Sequence, residues 1–388
     1  MKSSSKKVAF IVSEYNPLHK GHIYHIEKTR EMTGCEYVVA IMSGDYTQRG
    51  DATCAGVSER TTWALANGID LVFVLPVLFA SASADYFALG AMKVIQSLGI
   101  EGTVSFGSEH DDILSLKKIA QWLIDNEIMY YQSIREKLKT GISFATARED
   151  VIRESVHVSD DFLNRSNVIL GIEYIKNAIK LSLPVVFNSV KRQGAEYNDL
   201  SEQPIMSASG IRIQLYDGKD AWRRSVSHDV ASYLTSHRVK RIDDAFSYLR
   251  YTITREGNEI GRYRDVNEGL ENRIIESMLH AESWVDCINN VKSKRYSETH
   301  IRRAFTSIFL GITKSDFTYA CEHRLPYVVL AGVSMKGREL IRTIKKVSDT
   351  PLISSLYRFP HKDYCVNATS LAVFQTNEIR SRRLYDLL

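Results

Sequence analysis

Cysteine is scarce in this chain, and what there is lies scattered. The five residues Cys35, Cys54, Cys287, Cys321 and Cys365 form no C-x-x-C pair and stand near no histidine pair at zinc spacing. A disulfide framework and a structural zinc are therefore not expected, and no cysteine sits in a motif suited to carrying an acyl group as a thioester. Long apolar runs are missing too. The stretch 87–98 is interrupted by Lys93 and Gln96, so no membrane span is expected. The start, Met1-Lys2-Ser3-Ser4-Ser5-Lys6-Lys7, is basic, but Val8 to Val12 is too short for a signal h-region and no small-residue cleavage site follows. A cytoplasmic protein is expected. No internal repeat or low-complexity tract stands out. The net charge is only +4, but it is unevenly placed: from Lys292 onward Arg and Lys clearly outnumber Asp and Glu. That asymmetry hints at a polyanionic partner.

What is present suits a soluble globular protein. The 388 residues, 44% hydrophobic and 25% charged, are enough for two domains with a sizeable core.

The chain is organised around Val8-Ala9-Phe10-Ile11-Val12-Ser13-Glu14-Tyr15-Asn16-Pro17-Leu18-His19-Lys20-Gly21-His22. The β-branched and aromatic run Val8 to Val12 has no polar alternation, which suits a strand buried on both faces of a parallel sheet. Asn16-Pro17 marks a turn, and Ile23, Ile26 and Thr29-Arg30 continue with helical spacing. Side chains three apart share a helix face, so His19 and His22 can converge on one ligand at the helix start. Free backbone N–H groups and the positive end of the helix dipole favour an anion there. Gly21, lacking Cβ, lets a ring or a phosphate approach the backbone. Two imidazoles, a dipole and a bare backbone suit the negative charge on a nucleotide α-phosphate while pyrophosphate leaves. His-x-Gly-His arises by chance in about one chain in a hundred of this length, and less often directly after a buried strand. The pattern resembles the nucleotidyltransferase superfamily with the H-x-G-H signature, relatives of the class I aminoacyl-tRNA synthetases.

Further strands are expected at Tyr37 to Met42, Leu71 to Pro76, Thr103 to Phe106 and Pro184 to Phe187. Helices are expected from Ser58, a candidate N-cap, to Asn67-Gly68, and from Asp85 to Leu98. Alternating strands and helices read as an α/β parallel sheet, with ligands at the carboxyl ends of its strands. His19, His22, Asp45, Arg49 and Gly107 would fall there. Residues 113–180 read as a helical insertion. After the fifth strand comes Ile205-Met206-Ser207-Ala208-Ser209-Gly210-Ile211-Arg212. Ser207 or Ser209 can cap a helix with Arg212 on its first turn, and together they can hold the β- and γ-phosphates. From Asp217 onward the chain reads as mainly helical, with Trp222 to Val239, Ile242 to Tyr251, Glu268 to Leu279, Trp284 to Val291, Glu298 to Leu310 and Gly337 to Lys346 as helices. Strand alternation returns only around Tyr327 to Leu330. Two domains are expected: 1–217, a Rossmann-like parallel-sheet nucleotidyltransferase domain of H-x-G-H type that binds ATP and carries the helical insertion; and 218–388, a mainly helical, basic C-terminal domain whose charge suits RNA. Lys294, Arg295, Arg302 and Arg303, with Tyr296 among them, suit a phosphate backbone and a stacking base. Arg338, Arg342, Lys345 and Lys346 add to the positive charge.

Several stretches together resemble the tRNA(Met) cytidine acetate ligase family. They include Glu14-Tyr15-Asn16-Pro17 with His19-Lys20-Gly21-His22-Ile23-Tyr24-His25, Met42-Ser43-Gly44 with Gln48-Arg49-Gly50, and Phe106-Gly107-Ser108-Glu109. Farther on are Asn167-Val168-Ile169-Leu170-Gly171, Lys191-Arg192, Ser207 to Arg212, Glu268-Gly269-Leu270-Glu271-Asn272-Arg273 and Lys336-Gly337-Arg338. The likeness implies ATP bound by Val12, Ser13, Glu14, Tyr15, Asn16, Pro17, Leu18, Lys20, Gly21, Ile23, Tyr24 and His25. Gly107, Asn167, Lys191 and Arg192 join them, with Ser207, Ser209 and Arg212 on the phosphates. His19 and His22 would be catalytic. The implied reaction activates acetate as acetyl-adenylate, using ATP and Mg²⁺. It then passes acetyl to N4 of the wobble cytidine of elongator tRNA(Met), giving N4-acetylcytidine, with no obligate protein partner evident. Two departures from the family pattern are Ser13, where an apolar residue is usual, and the polar loop Asp45-Tyr46-Thr47. Two rival readings are a nucleotidyltransferase acting on a small-molecule cofactor precursor and a non-catalytic RNA-binding relative.

Overall fold

In the central strands, neighbouring residues feed two different cores. Val8, Phe10, Val39, Ile41, Leu71 and Phe73 enter one, whereas Ile11, Val38, Ala40, Met42 and Val72 enter the other. Side chains alternate across a strand, so an unbroken apolar run is what a sheet covered on both faces requires. The computed structural model describes residues 7–109, 112–156, 163, 165–191, 206–267, 269–356 and 367–388. Arg192 and Cys365 lie outside the described residues.

The strands are β1 (Val8–Ser13), β2 (Tyr37–Ser43), β3 (Leu71–Leu75), β4 (Gly102–Ser108), β5 (Val185–Lys191), β6 (Val328–Val333) and β7 (Leu352–Ile353). They form one sheet in the order β5-β4-β1-β2-β3-β6-β7. The first five are mutually parallel, β6 runs antiparallel to β3, and β7 is parallel to β6. The chain winds outward from β1 through β2 and β3, then crosses to β4 and β5 on the other side. The strand order therefore switches between β1 and β4, where open α/β sheets bind ligands. This is the expected α/β parallel-sheet architecture.

Four helices lie between the first four strands: α1 (Lys20–Thr33), α2 (Val57–Ala66), a short α3 (Val77–Ala80) and α4 (Ala84–Leu98). Between β4 and β5 come α5 (Ile113–Asp125), α6 (Glu127–Lys139), α7 (Phe144–Val156) and α8 (Ser166–Lys180). Then follow α9 (Ala208–Tyr216), α10 (His228–Ser236), α11 (Phe246–Glu256) and α12 (Leu270–His280). The remainder are α13 (Trp284–Val291), α14 (Glu298–Leu310), α15 (Lys314–Glu322), α16 (Gly337–Val347) and α17 (Ala368–Asp386). The region after residue 217 is helical as expected, yet it returns β6 and β7 to the sheet.

Local differences from the sequence reading have local causes. Helix α2 starts at Val57 with Gly56 as cap, not at Ser58, because Val57 N–H is taken by the Asp45 carboxylate. The run 222–239 is divided: Val226 is extended and Ser227 starts α10 anew after a 3₁₀ turn at Ala221–Ser225. Among the described residues, no helix is long and apolar enough to cross a membrane.

Candidate active site

The carboxyl end of β1 leads through a buried loop into α1, and His19 is the residue that caps the helix. Its Nδ1 accepts from Gly21 N–H at 3.0 Å, while His22 Nδ1 accepts from His19 N–H at 3.3 Å. Two imidazoles thus do the work usually given to a serine and a glutamate in a capping box. A ring nitrogen that accepts carries no proton, so a neutral ring here holds its proton on Nε2. The rings are stacked, with centroids 3.8 Å apart and planes 26° apart. Tyr15 stands edge-on to His22 at 5.1 Å. Tyr15 itself holds a left-handed backbone (φ 47°), unusual for a bulky residue. It lies just before the Asn16–Pro17 turn, whose peptide bond is cis.

The second motif reaches this loop. Ser207 is the residue that caps α9, accepting from Gly210 N–H at 3.2 Å. Arg212, one turn on, donates through Nη1 to Asn16 O at 2.7 Å and approaches Ser209 Oγ at 3.5 Å. His-x-Gly-His and Ser-x-Ser-x-x-Arg, almost two hundred residues apart, therefore meet at one loop. The first turn of α1 contains no acidic residue, and Lys20 is exposed there. Cationic side chains and helix N–H groups gather here, a combination that favours an anion.

Glu14 is the negative exception. Burial raises its carboxyl above the ordinary value. A hydrogen bond from Gln48 N–H to Oε1 (2.8 Å) and the charges of Arg212 and Arg49 oppose that rise. Asn16 is buried, and its Oδ1 accepts from Cys54 N–H at 2.7 Å, while its Nδ2 has no partner. The Ser13 hydroxyl is likewise buried, beside the Tyr15 phenol. Unpaired buried polar groups cost free energy, so donors of this kind at the loop fit a polar ligand.

On the other side of the switch point, Gly107 lies near the end of β4. Just beyond it, Glu109 accepts from Asn167 Nδ2 at 2.6 Å. Asn167 opens α8, and the second carboxylate oxygen of Glu109 is buried with no partner. Lys191 closes β5 beside Ser108 and is exposed. Beneath the histidines, Ser105 Oγ ties α1, β4 and β5 together through Thr29 Oγ1 (2.7 Å), His25 Nε2 (3.5 Å) and Asn188 Nδ2 (3.2 Å).

The basic residues expected to meet RNA divide into two kinds. Lys294 and Arg295 are exposed in the α13–α14 connection. Arg302 instead pairs with Asp51 at 3.1 Å and Glu298 at 3.0 Å, and Arg303 lies 3.8 Å from Asp265, its side chain 11% exposed. Those two guanidiniums bind the protein to itself.

Residues that the sequence reading did not single out support the loop. Arg60, fully buried, donates to the carbonyls of Ala55 (2.9 Å), Glu14 (2.7 Å), Ser43 (3.0 Å) and Gly44. Only its place one turn into a helix beside three glycine-bearing turns could have signalled this.

The family model described as HIGH Nucleotidyl Transferase matches residues 6–388. A tRNA(Met) cytidine acetate ligase of Thermoanaerobacter sp. (strain X514) is 36% identical over 361 residues, covering 91% of this chain and 89% of the relative. One from Clostridium perfringens (strain SM101 / Type A) is 33% identical over 385 residues, covering 95% and 96% respectively. The crystal structure of Thermotoga maritima TmcAL bound with alpha-thio ATP superposes with a TM-score of 0.89 at 27% identity. That superposition covers 98% of this chain and 94% of the other.

Proposed function

We propose, for a chain that belongs to the HIGH nucleotidyl transferases and within them to the tRNA(Met) cytidine acetate ligases, that it acetylates the wobble cytidine of elongator tRNA(Met) at N4, in the cytoplasm. The observation that carries the reading is the meeting of His19, His22 and Arg212 around the Asn16 loop at the switch point of the sheet. Acetate is a poor acyl donor, so its oxygen first attacks the α-phosphate of ATP and pyrophosphate leaves. The Nε2–H groups of His19 and His22 donate to the phosphate oxygens as charge builds on them. Arg212, with Ser207 and Ser209, holds the departing β- and γ-phosphates. Val12, Ser13, Glu14, Tyr15, Pro17, Leu18, Lys20, Ile23, Tyr24 and His25 line the nucleotide side, with Gly107, Asn167 and Lys191 across the switch point; Arg192 is assigned to the nucleotide by its motif alone.

The cytosine amine then attacks the acyl carbon of the acetyl-adenylate, AMP leaves, and the amine gives up a proton. That amine is a weak nucleophile, so positioning of both substrates supplies much of the rate. Among the described residues, no group of three or more His, Cys, Asp or Glu side chains is placed to hold a metal. Magnesium would therefore travel with the triphosphate, bound mainly by its oxygens, and supply charge neutralisation there. For the RNA, the exposed Lys294 and Arg295 suit the phosphate backbone, whereas Arg302 and Arg303 face Asp51 and Asp265.

The test is mass spectrometry of nucleosides from elongator tRNA(Met) incubated with the protein, ATP, Mg²⁺ and isotopically labelled acetate. Labelled N4-acetylcytidine is the expected product. Pyrophosphate release without any labelled nucleoside would move the reading to a small-molecule nucleotidyltransferase.

A further inference from the structure

One segment, residues 44–56, touches both the histidine loop and the last helices of the chain. On its inner side it holds the candidate active site: Gln48 N–H binds Glu14 Oε1 at 2.8 Å, and Cys54 N–H binds Asn16 Oδ1 at 2.7 Å. On its outer side it is gripped by α14 and α17. Thr306 Oγ1 donates to Gly50 O at 2.6 Å, Arg302 pairs with Asp51 at 3.1 Å, and Tyr385 OH donates to Thr53 O at 2.8 Å. Gly50 sits at φ +78°, and a Cβ there would stand 2.7 Å from the Arg302 backbone. At Gly50 the segment's backbone therefore meets that of α14 with no room for a side chain.

The strongest grip is electrostatic. Arg382 Nη1, from α17, reaches both oxygens of Asp45, at 3.0 and 2.9 Å. The Asp45 side chain is 7% exposed and that of Arg382 36%. The same carboxylate accepts from Val57 N–H at 3.0 Å, which fixes the start of α2. The Asp45 carbonyl accepts from Thr53 N–H at 2.9 Å, which closes the segment on itself. Asp45 is thus the joint at which both ends of the segment and the distant helix meet.

We propose that Arg382 is a positioning residue for the ATP site, acting through Asp45 and the segment 44–56 to hold Glu14 and Asn16 in place. The inference rests on the reading above only in taking the Asn16 loop as the nucleotide site. Without the guanidinium, the buried carboxylate of Asp45 is left with one N–H partner and draws in water. The segment loosens, and its hold on Asn16 Oδ1 and Glu14 Oε1 loosens with it. The C-terminal helix is in this way part of what makes the first loop competent.

The experiment compares Arg382→Met, Arg382→Lys and, as a control, Arg238→Met, whose ion pair with Asp244 includes no residue of the segment. Direct ATP binding by calorimetry is measured beside ATP KM, kcat and the thermal midpoint. Arg382→Met is expected to weaken ATP binding and raise ATP KM by about tenfold, at an unchanged KM for tRNA. Arg382→Lys should recover most of the loss, because it keeps the charge, and Arg238→Met should match the wild type. A lowered thermal midpoint with ATP binding unchanged would overturn the proposal, as would no change at all. Calorimetry needs neither acetate nor tRNA, so an absence of acetylation with the binding pattern intact would sink the proposed function and leave this relay standing.

Discussion

Gly21 and His19 are fitted to each other: a Cβ on residue 21 would stand 2.8 Å from Cε1 and 3.0 Å from Nδ1 of the His19 ring. The glycine of His-x-Gly-His is thus required by the first histidine as much as by any ligand. Gly21→Ala should push the His19 ring off its backbone bond and out of its stack with His22. Oxyanion-type donors removed or misdirected in this way cost about 10²–10³ in kcat. The expected outcome is a loss of that order in pyrophosphate release, with circular dichroism and the thermal midpoint close to wild type. Retained turnover would show that the ring's placement is not what matters.

Arg212 has two tasks that a lysine cannot share between them. One arm of its fork holds Asn16 O at 2.7 Å, while the rest of the guanidinium faces Ser209 and the proposed phosphates. A lysine keeps the charge but loses the planar fork. Charge-assisted bonds are worth about 1.5–3 kcal/mol each, so Arg212→Ala should raise ATP KM by about 10–100-fold. Arg212→Lys should recover only part of that loss. Steady-state kinetics over a range of ATP concentrations, at saturating tRNA and acetate, separates the two variants.

How far the sequence discloses this site follows from the range of the interactions. The apolar run Val8 to Val12, the proline turn and the histidine spacing act within about fifteen residues, and each has its consequence in β1, the loop and α1. The joining of Ser207 to Arg212 with that loop was legible from order along the chain. Strand β6 left a weaker trace: beyond Val328 its residues are only partly buried and its last, Val333, is exposed. Arg302 and Arg303 read as a basic run because their partners, Asp51 and Asp265, are distant in sequence. The grip of α17 on Asp45 spans more than three hundred residues, and nothing in the local pattern of either partner announces it.

Arg60 is a buried cation whose partners are all main-chain carbonyls. Burial lowers its pKa from the usual guanidinium range, with the nearby Asp45 charge opposing that shift. Arg60→Met removes the donor to Glu14, Ser43, Gly44 and Ala55 at once, and of these carbonyls Ala55 still accepts from the Thr53 hydroxyl at 2.9 Å. Leaving a buried acceptor without its donor costs about 1–3 kcal/mol. Urea unfolding should show a loss of that size, and the surviving folded fraction should bind ATP weakly. A change below about 1 kcal/mol would mean that water replaces the guanidinium at no cost.

Glu378 gives the fold a pH dependence that can be separated from catalysis. It lies buried on α17, and its carboxyl group accepts from Val77 N–H at the start of α3. Burial pushes its pKa from 4.5 up to about 8, with the Val77 bond opposing and the Asp45 charge adding to the rise. A carboxyl whose folded value lies above its unfolded one stabilises the fold while it is protonated. That contribution is fully present below the unfolded value of about 4.5 and is lost as pH rises toward 8. The thermal midpoint of the wild type should therefore fall between pH 5 and about pH 8, and Glu378→Gln should flatten that slope. Glutamine keeps an oxygen to accept the Val77 N–H and carries no charge at any pH, so it should equal the wild type near pH 5 and exceed it above pH 8. Parallel curves for the two proteins would place the titrating group elsewhere and leave the α17–α3 contact held by an ionised carboxylate.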